Sequence, residues 1–315
     1  MIYLSLLKGF RYHQLSREEG PPQTGQSAVQ QTKRLIVNAD DFGLTAGVNR
    51  AIIEAHTRGI VTSATLMANM PAFDDAAQLA KQHPSLGVGL HFNITQGRPV
   101  ADASLVSSLL DERGEFLGTT TALVRRAIAG RLQIEEVVVE LRAQIEKALS
   151  AGVRLIHVDS HKHSHALPQI CRAIARTIND YGVGAMRLPR ERWRFDPRAN
   201  SFKLLSQSAG AFALSQLCRA SEMALRQSNV KTTTAFFGVT HTGFWNKRWL
   251  IDLIERLPDG ASELMCHPGY DDEELGGVKT RLRASRVNEL RLLTDPDVAA
   301  KLKEQGVRLI NFSDL

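Results

Sequence analysis

The sequence predicts an α/β fold built on a parallel sheet. Three observations lead there: short β-branched apolar runs alternate with helical periodicity from Arg34 to the C-terminus, seven or eight such units follow one another, and no internal repeat or linker interrupts them. That number of units fits a closed (β/α) barrel better than an open sheet, and 315 residues is an ordinary length for such a barrel as one domain.

Residues 1–33 lack periodicity and are rich in Gln, Ser, Gly and Pro, so they are read as a mobile N-terminal extension ahead of a domain at 34–315. LIVNA (35–39) is a buried strand. A helix over 46–58 follows, its apolar spacing carried by Val48, Ile52 and Ile53, with Gly59 placed to stop it. SATLMAN (63–69) and LGVGLHF (86–92) are the next strands, separated by a helix at 73–83. Two helices, near 119–129 and 134–150, precede a fourth strand, RLIHVD (154–159). Pro168 opens a helix reaching about Tyr181, proline being favoured in a first turn. AMRLP (185–189) reads as a fifth strand, 200–226 as largely helical, TTAFFGV (233–239) as a sixth strand and 245–257 as a helix. SELMCH (262–267) is a seventh strand, and two more helices and VRLINF (307–312) close the chain.

Composition narrows the function classes. Hydrophobic residues at 43% and charged residues at 23% are ordinary for a soluble globular protein. No apolar run approaches the roughly 18–20 residues needed to cross a bilayer, and MIYLSLL is short and lacks a small-residue cleavage site, so a cytoplasmic location is expected. Cys171, Cys218 and Cys266 match no metal or redox spacing and are read as buried free thiols. The net charge of +6 comes from scattered basic residues, apart from two groups, Arg187, Arg190, Arg192, Arg194 and Arg198, and Arg281, Arg283, Arg286 and Arg291. Without interleaved aromatic platforms this excludes a single-strand nucleic-acid binder. It is read as a solvated basic surface, with peripheral attraction to anionic lipid as the alternative. A homodimer is the prior for a soluble enzyme.

Reactive side chains gather at strand ends. Asp40 and Asp41 end the first strand, His91 the third, Asp159 and His161 follow the fourth, and His267 ends the seventh. In parallel α/β barrels the site is assembled at the C-terminal ends of the strands. Asp40-Asp41 before Phe-Gly can be a plain turn. Two adjacent carboxylates at a partly buried strand end, however, need a cation or a shared proton, which points to one metal ligand and one base. A lone His91 in an apolar strand is ordinarily a hydrogen-bonded core residue. The segment 157–165 holds four histidines and an aspartate, and metal binding explains it better than an exposed His-rich loop. No G-x-S-x-G elbow, phosphate loop or dinucleotide fingerprint occurs. A metal site with open positions, able to activate water or polarise a carbonyl, is what remains.

VNADDFGL (37–44), GIVTSATLM (59–67), GLHFNIT (89–95), HVDSHKH (157–163) and CHPG (266–269) together resemble the successive signatures of the YdjC-like carbohydrate deacetylases, a group that includes the chitooligosaccharide deacetylases. The resemblance runs from about Arg34 to the C-terminus. It implies a distorted (β/α) barrel related to the polysaccharide deacetylases, and one divalent metal ion, Mg²⁺ or Zn²⁺. It also implies Asp41, His91 and His161 as metal ligands, Asp40 as general base and His267 as general acid, with the two aspartates able to exchange roles. GAMRLPRE (184–191) is similar to a hopanoid-associated branch, which implies a lipid-linked substrate. The expected reaction is removal of an N-acetyl group from an acetylated aminosugar, releasing acetate. The rival readings are a metallo-hydrolase of a phosphodiester or non-sugar amide, and a non-catalytic metal- or sugar-binding protein.

Overall fold

Lys33–Phe42 forms the longest strand, β1, and its eight residues from Leu35 onward are all buried. A strand hidden on both faces is what a near-continuous apolar run followed by Asn and Asp produces inside a parallel sheet. The structure, a computed structural model, describes residues 32–191 and 202–315. All of the expected N-terminal extension but its last two residues lies outside that range, and the last of it, Lys33, already belongs to β1.

The remaining strands are β2 (Ser63–Leu66), β3 (Gly87–Phe92), β4 (Val158–Ser160), β5 (Ala235–Phe237), β6 (Gly260–Cys266) and β7 (Arg308–Leu309). The order is β4-β3-β2-β1-β6-β5, every pairing is parallel, and β7 pairs with the start of β1. The helices are α1 (Ala46–Thr57), α2 (Phe73–Gln82), α3 (Thr120–Ile128), α4 (Ile134–Ser150), α5 (Pro168–Thr177), α6 (Phe202–Gln227), α7 (Lys247–Glu255), α8 (Glu273–Gly276), α9 (Ala284–Leu293) and α10 (Pro296–Glu304). This is the α/β barrel-like architecture expected. Its elements have local causes: α1 starts where the Thr45 side chain accepts the Val48 N–H, and it buries Val48, Ala51, Ile52 and Ala55 along one stripe.

The expected fifth strand at 185–189 is not a strand. It makes isolated parallel bridges only, Ala185 with Lys231 and Val158 with Met186 next to the edge strand β4, and just beyond it Glu191 bridges Phe236 of the other edge strand, β5. The Val158 N–H reaches the Ala185 carbonyl and the Arg187 N–H reaches the Val158 carbonyl, but Pro189, which lacks an N–H, cannot continue the run. These bridges join one edge of the curled sheet to the other. The expected strand at 307–312 is likewise reduced to two residues, and 154–157 precedes β4 rather than forming part of it.

One irregularity decides where the site lies. Between β1 and β2 the register jumps from Ala39–Ala64 to Phe42–Leu66, so three steps on β1 face two on β2. Asp41 sits in this bulge at φ 70°, a left-handed conformation that aspartate tolerates better than most residues. Successive strand residues ordinarily point to opposite faces. Here the bulge turns Asp41 so that it and Asp40 both line one cavity.

Candidate active site

At the C-terminal ends of the strands lies a cavity of about 480 Å³. Asp40, Asp41, His91, His161 and His267, the five site residues expected from the sequence, all line it. His91 comes from β3, the two aspartates from the β1 bulge, His161 from the turn after β4 and His267 from the residue after β6.

Three ligand atoms converge. Asp41 Oδ1 lies 3.4 Å from His91 Nε2 and 3.2 Å from His161 Nδ1, and the two imidazoles meet edge to face. The opposite nitrogen of His91 is fixed by Asp159, with Nδ1 2.6 Å from Oδ1. Histidine ligands typically donate their second N–H in this way. Asp41 Oδ2 is held by Arg286, yet Oδ1 is buried and has no hydrogen-bond partner. A buried orphan carboxylate oxygen facing two imidazole nitrogens fits a divalent cation, which takes carboxylate oxygen and histidine nitrogen at about 2.0–2.2 Å. A second triangle, Asp40, His91 and Asp159, is spaced similarly but is closed, because Arg187 already binds both aspartates.

Arg187 is fully buried. Its Nη2 donates to Asp40 Oδ1 at 2.6 Å, Nη1 to Asp40 Oδ2 at 2.7 Å and Nε to Glu263 Oε1 at 2.7 Å, while Nη1 also pairs with Asp159 Oδ2 at 2.7 Å. Burial alone would raise the Asp40 pKa, but the guanidinium outweighs it and holds the carboxyl well below its usual range. Asp41 is lowered likewise, burial being overcome by Arg286 and the two histidines. Burial opposes a charged His91, yet Asp159, Asp41 and Asp40 together raise it to about 10. His267 behaves oppositely: burial pushes it down to about 4 despite the two aspartates. Burial lifts Glu263 and Glu289 to about 7. Five buried carboxylates (Asp40, Asp41, Asp159, Glu263 and Glu289) thus surround two buried arginines.

The clustered histidines separate cleanly. His157 is buried and stacks on Phe312 at 3.7 Å, in space left by Gly89, where a Cβ would lie 2.4 Å from its ring. His165 is buried against Ser160 Oγ at 2.5 Å. His163 lines the cavity without meeting the three ligand atoms, and only His161 joins them. Lys162 and His163 both adopt φ 53°, so a strained turn presents His161.

The expectation of a solvated basic surface is corrected at two residues: Arg187 and Arg286 are both buried and bind Asp40 and Asp41. Arg192, Arg194 and Arg198 lie outside the described residues. Sequence reading also gave no role to Glu263, Glu289 and Gln96. A charged residue inside a short apolar strand, Arg in AMRLP or Glu in SELMC, is the signal that points inward. The three cysteines are free and buried as expected. Among the described residues no helix is long and apolar enough to cross a membrane.

Comparison with known proteins agrees with this picture. The sequence profile of the YdjC-like protein family matches residues 34–304. A carbohydrate deacetylase of Geobacillus stearothermophilus is 40% identical over 280 residues, covering 89% of this chain and 96% of the relative. A chitooligosaccharide deacetylase of Yersinia enterocolitica is 36% identical over 285 residues, covering 90% and 99%. Among solved structures, an Enterococcus faecalis protein described as a candidate cellobiose-phosphate cleavage protein superposes with a TM-score of 0.70 at 26% identity, covering 90% of this chain and 98% of that one.

Proposed function

This chain belongs to the YdjC-like protein family, and we propose that it is a metal-dependent hydrolase that removes the N-acetyl group from an acetylated aminosugar, releasing acetate and a free amine. The names of its relatives supply the reaction and the class of substrate. The observation that carries the metal is the buried Asp41 Oδ1, which has no hydrogen-bond partner and faces His91 Nε2 and His161 Nδ1 in the same cavity as Asp40 and His267. The reading assigns the whole activity to residues 34–315.

Asp41, His91 and His161 would hold one divalent ion, whose chemistry is to polarise the acetyl carbonyl and acidify water. By ligand softness, two imidazoles and a carboxylate suit zinc or another transition ion better than magnesium. Asp40 is the base. Its Oδ1 already accepts from Asn38 Nδ2 and Arg187 Nη2, whereas Oδ2 accepts only from Arg187 Nη1, so Oδ2 is the oxygen that takes the proton from the attacking water. The Arg187 fork fixes this carboxylate and keeps it ionised at the moment of attack. His267 is the acid. Burial keeps it neutral in the free site, so it takes up the proton that Asp40 received from the water and delivers it to the departing amine. The acetyl carbon–nitrogen bond breaks, and the water oxygen leaves in acetate.

Incubation with N-acetylated chitobiose and with simple phosphodiesters tests the reading. Acetate release is expected. Cleavage of the phosphodiester to a monoester without acetate release, or sugar binding without turnover in metal-replete protein, would sink it in favour of another metallo-hydrolase or a binding protein.

A further inference from the structure

The two imidazoles of the proposed centre are braced differently. His91 has a carboxylate behind it, Asp159, at 2.6 Å. Behind His161 stands a neutral amide: His161 Nε2 lies 3.3 Å from Gln96 Oε1, while Nδ1 faces Asp41 Oδ1 at 3.2 Å. We infer that Gln96 is the positioning residue for His161, accepting its Nε2–H and so turning the Nδ1 lone pair toward Asp41. The inference rests on the reading of Asp41, His91 and His161 as metal ligands.

His161 needs such a brace more than His91 does. His91 sits on a strand with its ring enclosed, whereas the His161 side chain is 14% exposed and opens a turn whose next two residues are left-handed. Nothing in that turn fixes which ring nitrogen carries the proton. Gln96 is fitted for the task because its main chain is pinned. Its N–H donates to Asn93 Oδ1 at 3.1 Å, and its carbonyl accepts from Asn93 Nδ2 at 2.8 Å and Asn69 Nδ2 at 2.9 Å. Asn93 is itself clamped to α4, giving its N–H to Gln144 Oε1 at 3.1 Å and accepting Gln144 Nε2 at 2.7 Å. A pinned backbone therefore carries Gln96 from a buried face of α4 to the cavity beside His161. The choice of a neutral acceptor has a chemical consequence. A carboxylate behind a ligand histidine raises its basicity, and a second one would add charge to a centre already rich in it. Gln96 orients the ring without that charge.

Cobalt(II) titration of the whole chain, followed by its visible d–d absorption, tests this. Gln96→Leu removes the acceptor and is expected to weaken cobalt binding by about 10–100-fold, the usual cost of losing such a partner. Gln96→Glu, which restores an acceptor, is expected to recover most of that loss. Equal cobalt affinity in the wild type and Gln96→Leu would overturn the inference, and so would failure of the Glu variant to do better than Leu. Should Gln96→Leu not fold, long-range ¹H–¹⁵N spectra of zinc-loaded wild type decide the matter: protonated Nε2 with metal-shifted Nδ1 on His161 supports it, and the reverse overturns it. A wild type that binds no cobalt at all would instead remove the metal centre on which the inference stands.

Discussion

Arg187 grips Asp40 by both oxygens, at 2.6 and 2.7 Å, although neither side chain is more than 3% exposed. The same guanidinium holds Asp159 and Glu263, so one cation organises Asp40, the partner of His91 and the barrel interior. Removing one member of a buried charged pair leaves the others uncompensated, at a cost of about 3–5 kcal/mol. Arg187→Met is expected to lower the unfolding free energy, measured by urea denaturation, by that amount. A loss of about 1 kcal/mol or less, typical of a surface pair, would contradict the role given to it.

Asp40→Asn removes the proton acceptor but none of the three converging ligand atoms. Metal content by elemental analysis should be unchanged while turnover falls by roughly 10²–10⁴-fold, the usual contribution of a general base. If the variant instead loses its metal, Asp40 is a ligand and the two aspartates exchange roles.

The histidine cluster offers an internal control. His161→Ala should weaken metal binding by more than the ~10–100-fold of an outer partner, with activity lost in step. His163→Ala, whose ring stands outside the ligand triangle, should keep its metal. Parallel dialysis of the two variants against a chelator would show it, and equal retention would refute the assignment.

The pH dependence follows from His91. Its folded value, raised to about 10 against the ordinary 6.5, means that the metal-free site favours the protonated ring. The stability this lends is fully present below pH 6.5 and is lost as pH rises towards about 10. A metal must displace that proton from Nε2. At neutral pH about one proton should leave the protein per ion bound, and apparent affinity should climb about tenfold per pH unit. Calorimetry in two buffers of unlike ionisation enthalpy measures this, and binding without proton release would contradict it.

Much of this was legible in the residues. Strand–helix alternation predicts the architecture, and Asp or His at successive strand ends predicts the cavity wall. What periodicity misses is physical. At 185–189, where Pro189 lacks an N–H, only isolated bridges form, and a bulge at Asp41 lets neighbouring carboxylates face one cavity where a regular pleat would split them. Arg187 and Arg286 look like surface charges because their partners are distant in sequence: Asp40 lies 147 residues from Arg187, and Asp41 lies 245 from Arg286. Choosing His161 among four histidines likewise depends on a turn with two left-handed residues, which sequence spacing does not reveal.

The central claim is that the Asp41–His91–His161 triangle powers deacetylation. Mass spectrometry of acetylated chitobiose incubated with chelated protein, then with the same protein re-supplied with zinc or magnesium, tests it most directly. The account predicts no change with the chelated protein and the mass loss of one acetyl group once metal is restored. Acetyl loss that proceeds equally in both samples would contradict it.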